Sequence, residues 1–526
     1  MLTDYLLLSS AIAELPLRFR LRTMLIHIVI TNDKIMSSRI PILFILSLLL
    51  EVNTVYAQDK LYHLNTGLFG YYSGSGSIPF WLRSGQHGSI PQDGTSVSII
   101  TSAGKEYSGG DKLFDWGGSV EGRFDIGNKT RISLIEAYVK TKLSIFEFGA
   151  GRSKSIIGLC DTTLSAGSFS VSGNSLGVPQ ISISIPDYFT IPLMGNLFAF
   201  KGSFSHGWIG ETTVRLINND TADLKTYLHQ KSFYGRFGKS EWKWKIYGGF
   251  NHHAFWGSED IYYLSFNTLS KFETYLYVIS GKPYGTENFA SSKIGNHLGS
   301  IDLGFEYNFN NIRMLVYRQN IYDIGALYYL ANIRDGLNGV SLTNMRSSEK
   351  TIQWRKMLFE FFYTKNQAGE LWSPYTPSGD ENYYNNDQYV FGWSYKGIGI
   401  GNPFICKRDY TRDGLPANPR DYFINNRVAV FHYGIEGSIK DWLVFMKASY
   451  SLNYGTFGTD EVGHTLGKVR TLPLHGVFQE TKQLSFLLRL NRKLRSGFLL
   501  DFAAAFDAGR LYYNSAGVMA GVTKMF

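Results

Sequence analysis

The sequence predicts an all-β protein, a large antiparallel transmembrane β-barrel of the outer-membrane type. Three observations support this fold class. A leader for export lies near the N-terminus, long segments alternate between apolar and polar residues, and the chain ends on a phenylalanine at the end of such a segment. Outer-membrane strands show this alternation because one face meets lipid and the other a watery lumen. At about 10 residues per strand plus connections, the chain has room for roughly 16–20 strands.

The leader begins at Met36. Residues 40–50 are apolar apart from one serine, which suits a signal-peptide core and falls short of the roughly 20 residues that a spanning helix needs. Arg39 supplies the positive flank, and the small residue Ala57 suits signal peptidase, so we expect cleavage before Gln58. The predicted organisation is an early start codon or removed extension over 1–35, a signal peptide over 36–57 and a barrel over 58–526.

The composition excludes several other classes of protein. Tyr, Phe and Gly number 34, 37 and 55 against 2 cysteines, so a disulfide scaffold is not expected. Cys160 and Cys406 could pair after export, which the sequence alone leaves open. No apolar run of about 18 residues follows Leu50, and this excludes a helical membrane protein. The net charge of +9 is spread along the chain without a basic run, which argues against nucleic acid as a partner.

The clearest strands lie near the C-terminus. Every second residue from Leu484 to Leu490 is Leu or Phe, and those between them are mostly polar. In residues 498–507, Leu, Phe and Ala form one face, while Asp501 and Asp507 lie on the other. Two charged residues opposite an apolar face suit a wall between lipid and a lumen.

A soluble β-sandwich would alternate in the same way, because its strands bury an apolar face in a core. The segments here are about 9–11 residues long, however, which suits tilted membrane strands better than the usual 5 or 6. Aromatic pairs near segment ends, such as Tyr328-Tyr329 and Tyr512-Tyr513, are typical of interfacial girdles. A turn at Gly127-Asn128 predicts one of several hairpins, and no linker divides the chain, so we expect one large domain.

Several short sequence motifs, taken in their order along the chain, resemble those of the capsule assembly protein Wzi family in the form found in Bacteroidetes. They include IPFWLRSGQHGSIP at 78–91, FGAGR at 148–152, SGNSLGVPQISI at 172–183, FKGSFSHGWIG at 200–210, YGGFNHHAFWG at 247–257 and NIRDGLNGVSL at 332–342. The resemblance implies an outer-membrane barrel with a lectin-like role, which helps to attach or organise exported capsular polysaccharide and is not an enzyme. Better-known members carry helices near the N-terminus that close the periplasmic side, and only a short strand-like segment precedes Trp81 here. Whether this barrel is plugged in the same way stays open.

Sugar binding needs flat aromatic faces beside polar side chains. The best cluster lies in the loop 371–395, which is rich in Pro, Gly and Asn and is expected on the extracellular side. A second candidate is the pair Trp81 and Arg83, in which a guanidinium near an aromatic face could meet an acidic sugar. The predicted saccharide-binding residues are Trp81, Arg83, Trp372, Tyr375, Asp380, Tyr383, Tyr384 and Trp393.

Other motifs are weaker. His252 and His253 are adjacent on a strand and therefore point to opposite faces, so a shared metal is not expected. The alternating glycines of residues 397–401 resemble a nucleotide loop, but no helix follows to hold a phosphate. They leave one strand face without side chains, and packing against a loop inside the barrel is the favoured interpretation over a passing ligand.

The predicted function is to bind capsular or other surface polysaccharide at the surface of a Gram-negative cell, without a cofactor, a metal or catalysis. Outer-membrane lipid and the barrel-assembly machinery are the other expected partners. Two rivals stay open: a porin-like channel for anionic oligosaccharides, and a hydrolase in which a serine works with His206, His229 or His297. Ion conductance would favour the first rival, and turnover of lipid or glycan the second.

Overall fold

The structure is a computed structural model, and it describes residues 61–526. Within this range, residues 75–76, 93, 110–111, 193–194, 263–268, 287–288, 324, 347–350, 370–380, 462–463, 467–468 and 472 are not described. The stretch 1–35 and the leader expected over 36–57 also lie outside the described residues.

Eighteen long strands form one sheet. In chain order they are β1 Tyr62–Ser73, β2 Ser96–Lys105, β3 Phe114–Gly127, β4 Arg131–Leu143, β5 Phe146–Arg152, β6 Gln180–Thr190, β7 Phe198–Arg215, β8 Thr221–Phe237, β9 Trp244–Trp256, β10 Asn296–Asn308, β11 Ile312–Tyr322, β12 Gly336–Asn344, β13 Ile352–Tyr363, β14 Val428–Ile439, β15 Trp442–Asn453, β16 Thr481–Lys493, β17 Phe498–Gly509 and β18 Ser515–Met525.

The sheet closes on itself. Each strand pairs antiparallel with the next, and β1 pairs with β18 over a register that runs from Asn65 opposite Met525 to Ser73 opposite Gly517. Closure leaves no exposed edge, as a barrel in lipid requires. The predicted fold class is therefore confirmed, and 18 strands lie inside the expected range.

The two faces of the wall follow the alternation in the sequence. On β17, Phe502 and Phe506 are exposed on the outer surface, whereas Asp501 and Asp507 point inward and are buried. The predicted hairpin at Gly127-Asn128 is also present, since β3 ends at Gly127 and β4 begins at Arg131 after a turn of three residues. Apolar side chains thus form a belt on the outside, and polar side chains line the inside.

The two ends of the barrel differ in their connections. One end, here called the long-loop end, carries six connections that are longer than the rest: residues 74–95, 153–179, 257–295, 323–335, 364–427 and 454–480. The opposite end, here called the short-turn end, carries brief turns and the outer ends of β1 and β18. Barrels of the outer membrane usually have short periplasmic turns and longer extracellular loops.

Short elements lie in the long connections. The helices are α1 Phe80–Arg83, α2 Glu259–Tyr262 and α3 Lys271–Ser280, and the 3₁₀ turns are Ala326–Tyr329, Arg408–Tyr410 and Phe457–Thr459. Small antiparallel pairs join Pro283–Thr286 to Phe289–Lys293, Ser394–Tyr395 to Ile398–Gly399, Cys406–Lys407 to Phe423–Asn425, and His464–Leu466 to Val469–Thr471. Among the described residues, none of the helices is both long and apolar enough to cross a membrane.

The connection of residues 153–179, here called the inner segment, lies inside the lumen. Inward-facing side chains of β10, β11, β13, β14 and β15 bind its backbone. The contacts join Leu159 N to Asp302 Oδ2 (2.8 Å), Phe169 N to Gln319 Oε1 (3.2 Å), Ala166 N to Glu360 Oε2 (2.6 Å), Leu164 O to His432 Nε2 (2.6 Å) and Ser165 O to Lys447 Nζ (3.2 Å). Because several of its backbone groups find partners on the wall, the segment can lie in the lumen without long strands of its own.

Two of the aromatic pairs considered for interfacial girdles lie in connections beyond the strand ends. Tyr328 and Tyr329 belong to a 3₁₀ turn in the connection after β11. Tyr512 is buried in the connection between β17 and β18, and its ring stacks on that of Phe80 at 5.7 Å. For Tyr512 the girdle prediction was wrong, because a tyrosine beside a strand end can equally pack into the loop that follows.

Candidate functional site

The connection 364–427 packs three of its aromatic residues inward, onto the inner segment. Tyr383, Tyr384 and Trp393 are all fully buried. The Tyr384 hydroxyl donates to Phe169 O, and Trp393 Nε1 donates to Ser170 O at 2.8 Å. These three rings are covered by protein, so in this structure their faces are not open to a ligand, and saccharide binding by them stays a prediction.

A buried carboxylate fixes the turn of this connection against its neighbour. Glu381 accepts the backbone N–H groups of Asp323, Gly325 and Ala326 at 3.1, 2.9 and 2.6 Å, and Asn332 Nδ2 at 3.0 Å. A carboxylate that receives this many donors is well satisfied in spite of its burial. The turn of residues 323–335 and the start of the aromatic stretch are therefore held as one unit.

A second carboxylate, Asp335, joins the same unit from its position just before β12. It accepts the backbone N–H groups of Asn366 and Gln367 at 2.9 and 2.6 Å and the Tyr383 hydroxyl at 2.8 Å. Burial raises the pKa of Asp335 to about 7. The folded protein therefore binds a proton at Asp335 more readily than the unfolded chain does.

This shift predicts that the unit loosens as the pH rises. The contribution of Asp335 to stability is largest below its unfolded pKa of 3.8 and is lost as the pH passes about 7. We expect hydrogen exchange at residues 381–384, corrected for the intrinsic rate, to quicken between pH 5 and pH 8. Asp335→Asn should flatten this pH dependence, whereas Asp409→Asn at an exposed ion pair should not. An unchanged profile in Asp335→Asn would contradict the assignment.

Two of the glycines of residues 397–401, Gly399 and Gly401, serve packing, as predicted. A Cβ atom at Gly401 would lie 2.0 Å from the Tyr384 hydroxyl and 2.1 Å from Phe169 O. At Gly399 it would lie 3.1 Å from the Phe423 ring. The side-chain-free face thus lets the connection approach the inner segment closely.

Trp81 and Arg83 lie on α1, at the same end of the lumen. Trp81 is buried, its Nε1 donates to Ser449 Oγ at 3.1 Å, and its ring lies 4.6 Å from Lys447 Nζ. Arg83 is partly exposed and its guanidinium lies 4.0 Å from the Tyr410 ring centre. The structure therefore separates the pair: Trp81 packs on the wall and Arg83 faces a loop.

Trp372, Tyr375 and Asp380 lie outside the described residues. The stretch that carries them follows Gly369 in the chain, and Gly369 lines a cavity at the long-loop end. Saccharide binding by these three residues stays a prediction.

That cavity, here called the mouth pocket, has a volume of about 940 Å³. It opens between the connections that follow β11, β13 and β15. Its lining consists of Tyr329, Leu330, Ala331, Ile333, Arg334, Lys365, Asn366, Ala368, Gly369, Arg427, Tyr454, Phe457, Asp460, Glu461, Phe478, Gln479 and Glu480. A concave site that mixes aromatic faces with polar side chains is the usual form of a ligand site.

Cations stacked on rings build the wall of the mouth pocket. Lys365 Nζ lies 3.6 Å from the Tyr454 ring centre, and the Arg427 guanidinium lies 3.9 Å from that of Phe457. Arg427 also forms an ion pair with Asp460 and donates from Nε to Lys365 O at 3.1 Å. These contacts fix the positive groups without using all of their donors.

Lys365 and Tyr454 lie just beyond the ends of β13 and β15, and both have shifted pKa values. Burial, with the nearby Arg427 charge, lowers the pKa of Lys365. Burial and the neighbouring Glu480 carboxylate raise the pKa of Tyr454 to about 12. At neutral pH the Tyr454 hydroxyl therefore keeps its proton and donates it in a hydrogen bond to the Glu480 carboxylate.

One aromatic face remains open. Tyr329 lines the mouth pocket and is 55% exposed. An exposed ring beside fixed charges can stack on a pyranose while the polar groups hold its hydroxyls. The sequence contained a signal for this residue, the pair Tyr328-Tyr329, but it was assigned to a membrane girdle. Lys365, Arg427 and Tyr454 carried no local signal, because they meet only through the closed ring of strands.

Histidines considered for catalysis lie on both faces of the wall, and the hydrolase alternative stays open. His206, His229 and His297 lie on the outer face of the wall, away from the lumen. His432 Nδ1 contacts Ser449 Oγ at 2.7 Å, but both residues are buried under Trp81, and His432 Nε2 is already bound to the inner segment. No group of three or more His, Cys, Asp or Glu residues placed to hold a metal ion occurs in the described part of the chain.

His252 and His253 take opposite faces of β9, as predicted. His252 Nε2 meets His297 Nδ1 at 2.8 Å on the outer face, and His253 Nε2 meets Asn251 Oδ1 at 3.1 Å on the inner face. Cys160 and Cys406 are both free in the structure, so the pairing that the sequence left open is not formed.

Comparisons with known proteins place the chain in context. The family model described as "Capsule assembly protein Wzi" matches residues 47–405. No curated protein sequence matches the chain.

Solved structures of similar shape have low sequence identity. The Wzi outer membrane protein of Escherichia coli, described as a carbohydrate-binding β-barrel involved in group 1 capsule assembly, is 12% identical, with a TM-score of 0.49 over 87% of this chain and 83% of that one. OccAB2 of Acinetobacter baumannii is 10% identical, with a TM-score of 0.44 over 89% and 97%. OpdQ of Pseudomonas aeruginosa is 8% identical, with a TM-score of 0.39 over 88% and 97%. Because the family model covers well over half of its residues, this chain belongs to the capsule assembly protein Wzi family.

Proposed function

We propose that this barrel binds exported capsular polysaccharide in the mouth pocket and so helps to hold the capsule at the cell surface. The observation that carries the proposal is the exposed ring of Tyr329 in a pocket that also contains fixed cations and carboxylates. In this arrangement the long-loop end faces outward from the outer membrane, and the short-turn end faces the periplasm.

The chemistry of the mouth pocket suits a polymer rich in hydroxyl groups. Glu461 and Glu480 can each accept two hydroxyl hydrogen bonds, and Arg334 and Lys365 supply donors. Many weak contacts of this kind, added to stacking, bind a chain-like ligand along its length. Saccharide binding by Trp372, Tyr375 and Asp380, whose stretch follows Gly369 in the chain, stays a separate prediction.

Binding without turnover is the favoured mode of action. Buried Trp81, Tyr383, Tyr384 and Trp393 lock the inner segment and its covering connection in place, and Arg83 stacks on Tyr410 beside them. Their proposed part in ligand binding is to position the pocket walls. Outer-membrane lipid on the apolar belt and the barrel-assembly machinery are the further partners that such a barrel implies.

The test is polysaccharide binding by Tyr329→Ala. Loss of one stacking contact of about 0.5–1.5 kcal/mol should weaken binding roughly 3- to 10-fold. Tyr329→Phe should keep nearly full affinity, since it retains the ring. The probe is fluorescently labelled capsular polysaccharide purified from the host strain, titrated against protein in detergent.

Phe391→Ala is the matched control. Phe391 is an exposed aromatic residue at the same end of the barrel, and it does not line the mouth pocket. Its replacement should leave binding unchanged. Equal affinity of Tyr329→Ala and the native protein, with folding verified by heat-modifiable gel mobility, would remove the mouth pocket as the site.

A further inference from the structure

A group of polar side chains points outward from the barrel wall, where a lipid-facing surface is expected. Its members are His206 on β7, His229 and Lys231 on β8, His252 on β9 and His297 on β10. Three exposed rings lie on the same outer face, each two positions closer to the short-turn end than a member of this group: Phe204, Phe233 and Phe250. The polar group therefore lies directly at the edge of the apolar belt. Ionisable groups in contact with lipid are costly unless they are covered or paired.

Helix α3 covers this polar group from outside. Lys231 Nζ donates to Ile279 O near the helix end. The Tyr275 ring lies 5.7 Å from that of His206 and 6.0 Å from that of His229, and it stacks on Trp256 at 4.9 Å. The helix thus replaces lipid as the neighbour of these histidines.

Apolar packing holds α3 on the wall. Val278 is fully buried against Ala254 of β9 and against Ile294, which lies in the connection between β9 and β10. Ala254 lies between His252 and Trp256 on the outer face, and its small side chain lets the helix come close. Contacts at this site fix which side of the helix faces the barrel.

Capping fixes the ends of α3 as well. Ser270 and Glu273 form a capping box, with Glu273 N to Ser270 Oγ at 3.3 Å and Ser270 N to Glu273 Oε2 at 2.8 Å. Gly281 ends the helix with a φ of 64°, and its N–H donates to Tyr277 O at 2.8 Å. The helix is therefore a defined element and not a loop that happens to coil.

The side of α3 that faces away from the barrel is apolar at its centre. Phe272 and Leu276 lie four residues apart on this side and are 69% and 47% exposed. Lys271 and Lys282 are exposed at the two ends of the helix. An apolar stripe flanked by lysines is the pattern of a helix that lies in a membrane interface.

We propose that α3 is an interfacial helix seated in the membrane leaflet on the long-loop side, with Phe272 and Leu276 among the lipid acyl chains. We choose lipid as the partner of this stripe because the stripe is continuous with the apolar belt, which includes Phe204, Phe233 and Phe250. The helix then holds the barrel at a fixed height in the membrane. This role is separate from glycan binding and does not depend on the mouth pocket.

The test measures the depth of the stripe directly. The full-length protein is reconstituted in phosphatidylcholine–phosphatidylglycerol vesicles with a nitroxide attached at Leu276→Cys or, separately, at Phe272→Cys. The control carries the nitroxide at Leu474→Cys, a 91% exposed position in a connection at the same end of the barrel. Labelled native protein gives the background from the free Cys160 and Cys406.

Collisions with oxygen and with a water-soluble nickel chelate report the environment of the label. We expect labels at Leu276 and Phe272 to meet oxygen and to be shielded from nickel several-fold more than the label at Leu474, as for residues about 5–10 Å below a membrane surface. Nickel access equal to that at Leu474 would overturn the proposal. Shielding from both reagents would also overturn it, because it would mean that a second copy or another protein covers the helix.

Discussion

Removing the inner segment should turn a closed barrel into a conducting one. We expect a variant in which residues 157–175 are replaced by a short Gly-Ser linker to give stepwise, salt-dependent currents in planar bilayers. The native protein should give little or none. The reason is geometric, since barrels of 16–18 strands enclose an aqueous channel unless something fills it. Here the filling comes from a connection that is bound to five different strands.

The matched control replaces residues 473–477 by the same linker. This stretch lies at the same end of the barrel, and Leu474 within it is almost fully exposed. This replacement should leave the barrel closed, as in the native protein. Strong conductance by the native protein would contradict the closed lumen and would favour the porin-like channel, in which case polysaccharide binding at the mouth would have to coexist with a pore.

The second large effect is expected for Trp393→Ala. Trp393 is fully buried, stacks on Phe255 at 4.4 Å and donates to Ser170 O at 2.8 Å. Loss of such a side chain usually costs about 3–5 kcal/mol. The cost should appear locally, because the strands are held by their own ladders. We therefore expect the connection 381–427 to become sensitive to added protease on intact cells, while heat-modifiable mobility stays native.

Phe391→Ala again serves as the control, since it removes an exposed ring two residues away. It should leave the connection resistant to protease. A resistant Trp393→Ala variant would show that the buried ring does not hold the connection. Loss of the folded barrel in that variant would show instead that wall and connection unfold together.

The strands could be predicted from the sequence because residues along each strand alternate between the types that suit its two faces. Asp501 and Asp507 oppose Phe502 and Phe506, and this alternation needs no knowledge of the rest of the chain. No such local pattern marks the inner segment or the wall residues that bind it. Glu360 and Asp302 look like ordinary polar strand residues, and only the closed ring shows that they bind the backbone of a distant connection.

The site was harder to predict for a related reason. A buried tyrosine such as Tyr383 and an exposed one such as Tyr329 look the same in a loop sequence. Many aromatic residues lie close together in the loop 371–395, but most of those that the structure describes are buried by packing. Tyr329 stands in a turn whose position depends on Glu381, more than fifty residues later in the chain. Local patterns cannot encode contacts of this range.

The pairing of β1 with β18 also sets an order of events during assembly. Until the last strand is in place, the sheet has two open edges, and each edge offers unpaired backbone groups. The inner segment and its partners on β10, β11 and β13 to β15 are far apart in the chain, so their contacts form only when distant parts of the sheet have come together. Once the ring shuts, a polar chain that crosses the interior has no way in except through the mouth. The interior is therefore best filled before the seam between the first and last strands closes.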